Sequence, residues 1–340
     1  MKRLMLKLSK SEAENAFAKL AEDYVIIAPK TETGRGRFSD TDVVRYDRVE
    51  SLSEIVFAAR TDFSAKSVLF PIRETMFDCV GTDAEPAHIE IRPTIVFLRA
   101  CDINSLNVLD AVFLENGGYE DCHYKRRREK VSVFLLECAQ SFPNCFCVSM
   151  GANKTDSYSV FVRKEEDAYA VKINDKGFER YFSAGIESQV EPHFAGDDPK
   201  PLNVPDSIDA SLFENRMWNE YSKRCTACGR CNTSCPTCTC FTVHDIVDKE
   251  DKAKSERRRI WSSCQTKNFG LLAGDHDFRV PKGDRMRYKV LHKVADFKKK
   301  FGFHMCVGCG RCEEVCPEYI SMARCVEKID DIGITDREVL

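Results

Sequence analysis

The sequence predicts a mixed N-terminal domain, α+β or α/β, over residues 1–195, a proline-rich linker over 196–206 and an α-helical domain over 207–340. Three observations lead there. Short β-like runs separated by helical or loop segments fill the first half. Pro192, Pro199, Pro201 and Pro205 crowd around a Gly-Asp-Asp turn, which marks a boundary. Beyond it, helical periodicity recurs around two copies of one cysteine run. At 340 residues the chain can bury two separate cores.

Ser11-Glu12-Ala13-Glu14 reads as a helix capping box, and Ala13, Ala16, Phe17 and Leu20 then form one apolar helical face. Strands are expected at Tyr24–Ala28, Ser67–Phe70, Thr94–Leu98, Val131–Leu136, Ser157–Val162 and Tyr169–Ile173. After the linker, Ser211–Arg224 reads as a helix leading into the first cysteine run.

That run is Cys225-x2-Cys228-x2-Cys231-x3-Cys235-Pro236, and it returns as Cys306-x2-Cys309-x2-Cys312-x3-Cys316-Pro317. The spacing is that of bacterial-type ferredoxins, which hold a pair of [4Fe–4S] clusters and send the fourth cysteine of each run to the other cluster. Cysteines three residues apart on a tight loop reach three corners of a cubane. Gly229 and Gly310 let the backbone approach closely, and the proline after the fourth cysteine turns the chain away. Zinc sites also use Cys-x2-Cys pairs, but four cysteines within eleven residues followed by proline are not a zinc pattern. Residues 236–305 separate the runs, far more than a compact ferredoxin uses. Within them Met286, Val290, Val294 and Phe297 repeat at helical spacing, and Gly302 sits where a C-terminal cap belongs. An α-helical two-cluster ferredoxin domain is therefore expected.

A third [4Fe–4S] cluster is expected on Cys101, Cys138, Cys145 and Cys147, with buried free thiols or zinc as alternatives. Cys101 and Cys138 each follow an apolar strand candidate within three residues. If those strands are parallel, both thiols emerge at one sheet edge, where ligand sites usually lie. Cys79, Cys122, Cys238, Cys240, Cys264 and Cys325 are read by default as buried, inert thiols, although Cys238 and Cys240 follow the first run closely enough to pack against its cluster or replace a ligand.

The remaining features exclude as much as they suggest. With 51 basic and 54 acidic residues, the net charge of -3 gives no reason to expect nucleic acid. Eighteen cysteines without a secretory signal point to metal-bound thiols in the cytoplasm, and no apolar stretch is long enough to span a membrane. Gly34-Arg35-Gly36 lacks the third glycine and the preceding strand of a dinucleotide fingerprint, and no Walker-type phosphate loop occurs. The basic clusters Arg126–Arg128, Arg257–Arg259 and Lys298–Lys300 are either solvated faces or docking points for an acidic carrier such as ferredoxin. His304 reads as structural. With neither an entry cofactor nor a substrate site, the chain reads as a relay of single electrons. A zinc-bound interaction module and a free-standing carrier are the competing classes.

Several segments resemble the iron–sulfur electron-transfer subunit of anaerobic sulfite reductase. They are Cys228–Asn232, Cys235–Phe241, Arg257–Cys264, Lys282–Lys293 and His304–Cys312, with Arg99–Asp102 and Cys145–Gly151 in the first half. More loosely, the same patterns are similar to those of β subunits of soluble [NiFe] sulfhydrogenases. The sulfite reductase resemblance implies a non-catalytic subunit that relays electrons from a flavin- and nicotinamide-binding subunit to a sirohaem subunit reducing sulfite to sulfide. Carried onto this chain, it implies Cys225, Cys228, Cys231 and Cys316 for one cluster, and Cys306, Cys309, Cys312 and Cys235 for the other.

Overall fold

A computed structural model describes residues 4–36, 38, 40–205 and 208–335. Asp206 and Ser207, which flank the expected end of the linker, lie outside the described residues, as do residues 336–340.

The first half is built on strands β1 (Leu4–Ser9), β2 (Val25–Glu32), β3 (Val43–Arg48), β4 (Arg73–Val80), β5 (Asp83–Pro86), β6 (Thr94–Leu98), β7 (Val131–Leu136), β8 (Val160–Lys164), β9 (Ala168–Ile173) and β10 (Ile186–Glu187). Its helices are α1 (Lys10–Asp23), α2 (Ala100–Leu114) and α3 (Cys122–Arg128). Eight of the strands form one sheet in the order β10-β1-β9-β8-β7-β6-β2-β3. Its centre, β2-β6-β7-β8, is parallel and its flanks are antiparallel. Alternation along β6 explains the layering. Ile95 and Phe97 face the core that receives Ala13, Ala16, Phe17 and Leu20 of α1, while Val96 and Leu98 face the core that receives Ile103, Leu106 and Leu109 of α2.

Most of the expected strands are present, β6 and β7 with the bounds read from sequence. Ser67–Phe70 is not a strand, since Ala65–Val68 form a 3₁₀ turn instead. The capping box is also displaced. Ser9, not Ser11, caps α1 and exchanges hydrogen bonds with Glu12. Two overlapping Ser-x-x-Glu frames exist, and the strand ending at Ser9 selects the first.

The second half contains α4 (Trp218–Arg224), α5 (Arg230–Thr233), β11 (Phe241–Val247), β12 (Lys254–Trp261), β13 (Leu271–Leu272), β14 (His276–Asp277), α6 (Lys282–Leu291), α7 (Phe297–Phe301), α8 (Arg311–Glu314) and α9 (Met322–Thr335). The expected helix over Ser211–Arg224 is broken into a 3₁₀ turn at Ala210–Glu214 followed by α4. The α-helical expectation holds for Lys282–Phe301, which runs as α6, a π-helical turn over His292–Asp296 and α7, closed by Gly302 in the left-handed conformation. It fails for the preceding stretch. There β11 and β12 form a hairpin that joins β4 and β5 in a second, four-stranded sheet. The domain expected to be helical therefore carries strands, and one of them pairs with a strand from the first half of the chain. Among the described residues no helix is long and apolar enough to cross a membrane.

Candidate metal centres

The two cysteine runs fold alike. In each, a loop with two left-handed residues, Ala227 and Gly229 or Gly308 and Gly310, leads into a short helix, α5 or α8. The first loop is reinforced by Ala227 N–H, which donates to the Cys225 thiol at 3.3 Å. Glycine is needed at 308 and 310 for more than its φ. A Cβ at Gly308 would lie 2.4 Å from the Phe146 carbonyl oxygen, and one at Gly310 would lie 2.2 Å from that of Asn144.

Cys225, Cys228 and Cys231 line one cavity together with Cys316, so the fourth cysteine of the second run reaches the first run. Cys312, Gln265 and Lys289 also border it. Cys235 in turn bears electrostatically on the second run. Burial raises the pKa of Cys306 to about 12 against the opposing charge of Lys293, and Cys235 and Cys309 lie close enough to raise it further. Burial also raises Cys309 and Cys312, each with Cys235 among its anionic neighbours. Cys316 thus shares a cavity with the first run, and the charge of Cys235 is felt by the thiols of the second.

Buried cations surround these thiols. Lys289 is 4% exposed and Lys293 is 3% exposed, and burial alone would discharge both. Their strongest anionic neighbours are cysteines: Cys231, Cys312 and Cys238 for Lys289, and Cys235, Cys238 and Cys306 for Lys293. Those thiols more than offset the desolvation and hold both lysines above their usual pKa. An anionic cluster with four thiolates supplies the negative charge such lysines need. Lys293 donates to the Thr237 hydroxyl at 2.8 Å, and Lys66, also buried, donates to the carbonyls of Asn232 and Cys238.

The cysteines of the first half also converge. Strands β6 and β7 are parallel and in register, so Cys101 and Cys138 leave the same sheet edge. Burial drives Cys147 to about 12, with Cys145 and Cys138 among the charges that raise it. Burial also raises Cys101, and Cys309 and Cys147 are among its anionic neighbours. This group rests on the second run. Phe146 N–H donates to the Gly308 carbonyl at 2.8 Å, and Arg60 donates to the Cys309 carbonyl at 2.6 Å and to the Cys145 thiol at 3.4 Å. Arg311, from the Cys-Gly-Arg-Cys tetrad, makes a buried two-point ion pair with Asp102 at 2.5 and 2.8 Å. Arg60, Lys66, Lys289, Lys293 and the Arg311–Asp102 pair were not identifiable as site residues from sequence. Their only sequence hint was the resemblance of the segments Arg99–Asp102, Lys282–Lys293 and His304–Cys312, which contain Asp102, Lys289, Lys293 and Arg311 but assign them no role.

The other sequence candidates divide. Cys325 is buried and donates to the Tyr221 hydroxyl at 3.1 Å, whereas Cys122 is exposed and Cys79 half-buried, which corrects the expectation that both are core thiols. Two of the basic clusters each send one arginine inward, while Arg257 stays at the surface. Arg127 and Arg259 both bind the buried Glu74, and Arg257 pairs with Asp245. Among the described residues no set of three or more His, Cys, Asp or Glu side chains closes tightly enough to hold a single ion. A lone zinc needs its sulfurs about 2.3 Å away.

Fold and site together define an iron–sulfur electron-transfer protein. Residues 224–320 match the 4Fe-4S dicluster domain family. Over a much longer span, the chain is similar to subunit beta of sulfhydrogenase 2 from Pyrococcus furiosus. The two are 29% identical over 318 residues, which cover 88% of this chain and 93% of that one. No solved structure matches the chain. These likenesses support iron–sulfur electron transfer and do not single out sulfite reduction.

Proposed function

We propose that the chain is the iron–sulfur relay subunit of a sulfhydrogenase-type complex. The observation that carries this reading is the end-to-end likeness to a sulfhydrogenase beta subunit, which includes the first half as well as the dicluster region. In the complex it would take electrons from, or give them to, a flavin- and nicotinamide-binding subunit, with a hydrogenase catalytic subunit on the other side. The sulfite reductase assignment, with a sirohaem partner, is the second reading. It is favoured by the sequence segments described above and not by the relative that matches.

Cys225, Cys228, Cys231 and Cys316 would hold one [4Fe–4S] cluster, and Cys306, Cys309, Cys312 and Cys235 a second. Cys101, Cys138, Cys145 and Cys147 would hold a third, against the Cys306–Cys312 loop. When bound, each cluster accepts and passes one electron at a time. The chain's own residues fix the thiolates and set the field around them. Lys289 and Lys293 place positive charge beside both runs, which favours the more reduced, more negative state. The Arg60 guanidinium joins the first-half cysteines to the second run and holds the two loops at fixed spacing.

Anaerobic purification of the tagged chain from its native cells tests the assignment. A hydrogen-consuming partner is the expected companion, and a partner with a sirohaem spectrum would transfer the chain to sulfite reduction. Cys316→Ser should disturb the cluster of the first run and leave that of the second. The third cluster is tested separately, because Cys145→Ser should remove about four irons per chain. An unchanged iron content would exclude it.

A further inference from the structure

Three cysteines outside both runs and outside the first-half group come together beside them. Cys238 and Cys264 are buried, and Cys240 is half-buried. All three line one cavity of about 250 Å³, which Lys289, His292 and Lys293 also border. The pocket is chemically prepared for anionic sulfur. The Asn232 amide donates to the Cys264 thiol at 3.1 Å and to the Cys240 thiol at 3.7 Å, and the Gln265 amide donates to Cys264 at 3.6 Å. Side-chain amides aimed at sulfur are a feature of iron–sulfur surroundings, where hydrogen bonds to the sulfurs stabilise negative charge. An inert core thiol needs neither donors nor a neighbouring ammonium.

The three residues arrive from different elements. Cys238 and Cys240 stand on the loop between the first run and β11, and Cys264 stands just after β12. The hairpin between them brings Cys264 back to the loop, since Ser262 N–H donates to the Cys240 carbonyl at 2.8 Å. The cavity adjoins both cluster sites. Lys289 borders it and the cavity of the first run, and the Cys238 thiol contacts Cys235, the fourth thiol of the second run's site.

We infer that Cys238, Cys240 and Cys264 hold a further cuboidal iron–sulfur cluster, bound by three protein thiolates, with its remaining corner facing the open part of the cavity. This rests on the reading of the chain as a cluster relay and adds a branch to it. No redox step is needed to form the site beyond ligation, in which each thiol gives up its proton and binds iron as thiolate. Its position beside both runs makes it an electron reservoir or exit lying off the line from the first-half cysteines to the first run.

Anomalous diffraction at the iron edge from crystals of the anaerobically reconstituted full chain tests the inference directly. Iron peaks within bonding distance of these three thiols are expected, and a cavity without iron beside two occupied run sites overturns it. In solution, Cys264→Ser and Cys238→Ala should each lower iron by about three to four per chain while the signals of the run clusters persist. Cys122→Ser, an exposed thiol, should lower it by none. Unchanged iron in the first two variants, or a Cys240–Cys264 disulfide found by mass spectrometry of the same preparation, also overturns it. Absence of all iron from the parent chain would instead defeat the relay reading.

Discussion

At the scale of single residues, the two cysteine loops differ at one telling position. Ala227 has φ +58°, where the second loop has Gly308 at φ +64°. A left-handed alanine costs about 1 kcal/mol that glycine does not. Ala227→Gly should therefore raise the thermal midpoint of the protein by a few degrees, and a lowered midpoint would show that the Ala227 side chain contributes packing not apparent from its exposure. Asp102 makes the opposite kind of prediction. It neutralises the buried Arg311 from beneath the second loop, and both side chains are almost fully enclosed. Asp102→Asn leaves a buried guanidinium without its counter-charge, a loss of about 3–5 kcal/mol. The midpoint in urea should fall accordingly, and a change below about 1 kcal/mol would mean that water already reaches the pair.

Elements show why some of the architecture was legible and some was not. Strands β6 and β7 are apolar on both faces because helices cover both sides, and such runs announce themselves. Strand β11 does not. Nearly all its side chains are exposed, and the strand that anchors its hairpin, β4, lies far away in the chain. No local pattern encodes such a partner. The cysteine runs were readable because their chemistry fixes their spacing. The lysines that neutralise them were not, since a lysine on a helix normally means solvent. Lys293 sits in the π-helical turn between α6 and α7, a departure that recurs at functional sites. Lys293→Met should make the potential of the cluster proposed on Cys306, Cys309, Cys312 and Cys235 more negative, because a positive charge that favours the reduced form is gone. A redox titration followed by electron paramagnetic resonance reads this, and an unmoved potential would place the lysine's role in folding alone. Glu220 supplies a pH test for the helices behind the first run. Its hydrogen bonds to Lys328 of α9, and then to Arg224, hold its pKa below the usual carboxylate value of 4.5. The sign follows: this stabilisation is complete above that value and is lost as acid protonates the folded carboxylate. It should be modest because the pair is partly solvated. Glu220→Gln should flatten that part of the stability profile between roughly pH 5 and 3.

For the molecule as a whole, the cysteine groups form one connected body. The first-half group lies on the second run's loop through Arg60 and Phe146, and Cys316 of the second run lines the first run's cavity. Stability should then depend on the clusters as a unit. Iron chelation under anaerobic conditions should lower the urea midpoint, with the loss reaching the first half of the chain through the Phe146–Gly308 and Asp102–Arg311 contacts. Hydrogen exchange would reveal it as lost protection at Cys145–Met150. Retained protection there would show that the first half stands without the clusters.

The second sheet has a consequence for how the protein is made. Strands β4 and β5 leave the ribosome long before β12, the strand that covers the edge of β4. Until then Glu74 has Arg127 but lacks Arg259, and a bare strand edge faces the surroundings. Nascent chains halted before Trp261 should therefore be the ones that aggregate or recruit chaperones, whatever the supply of iron.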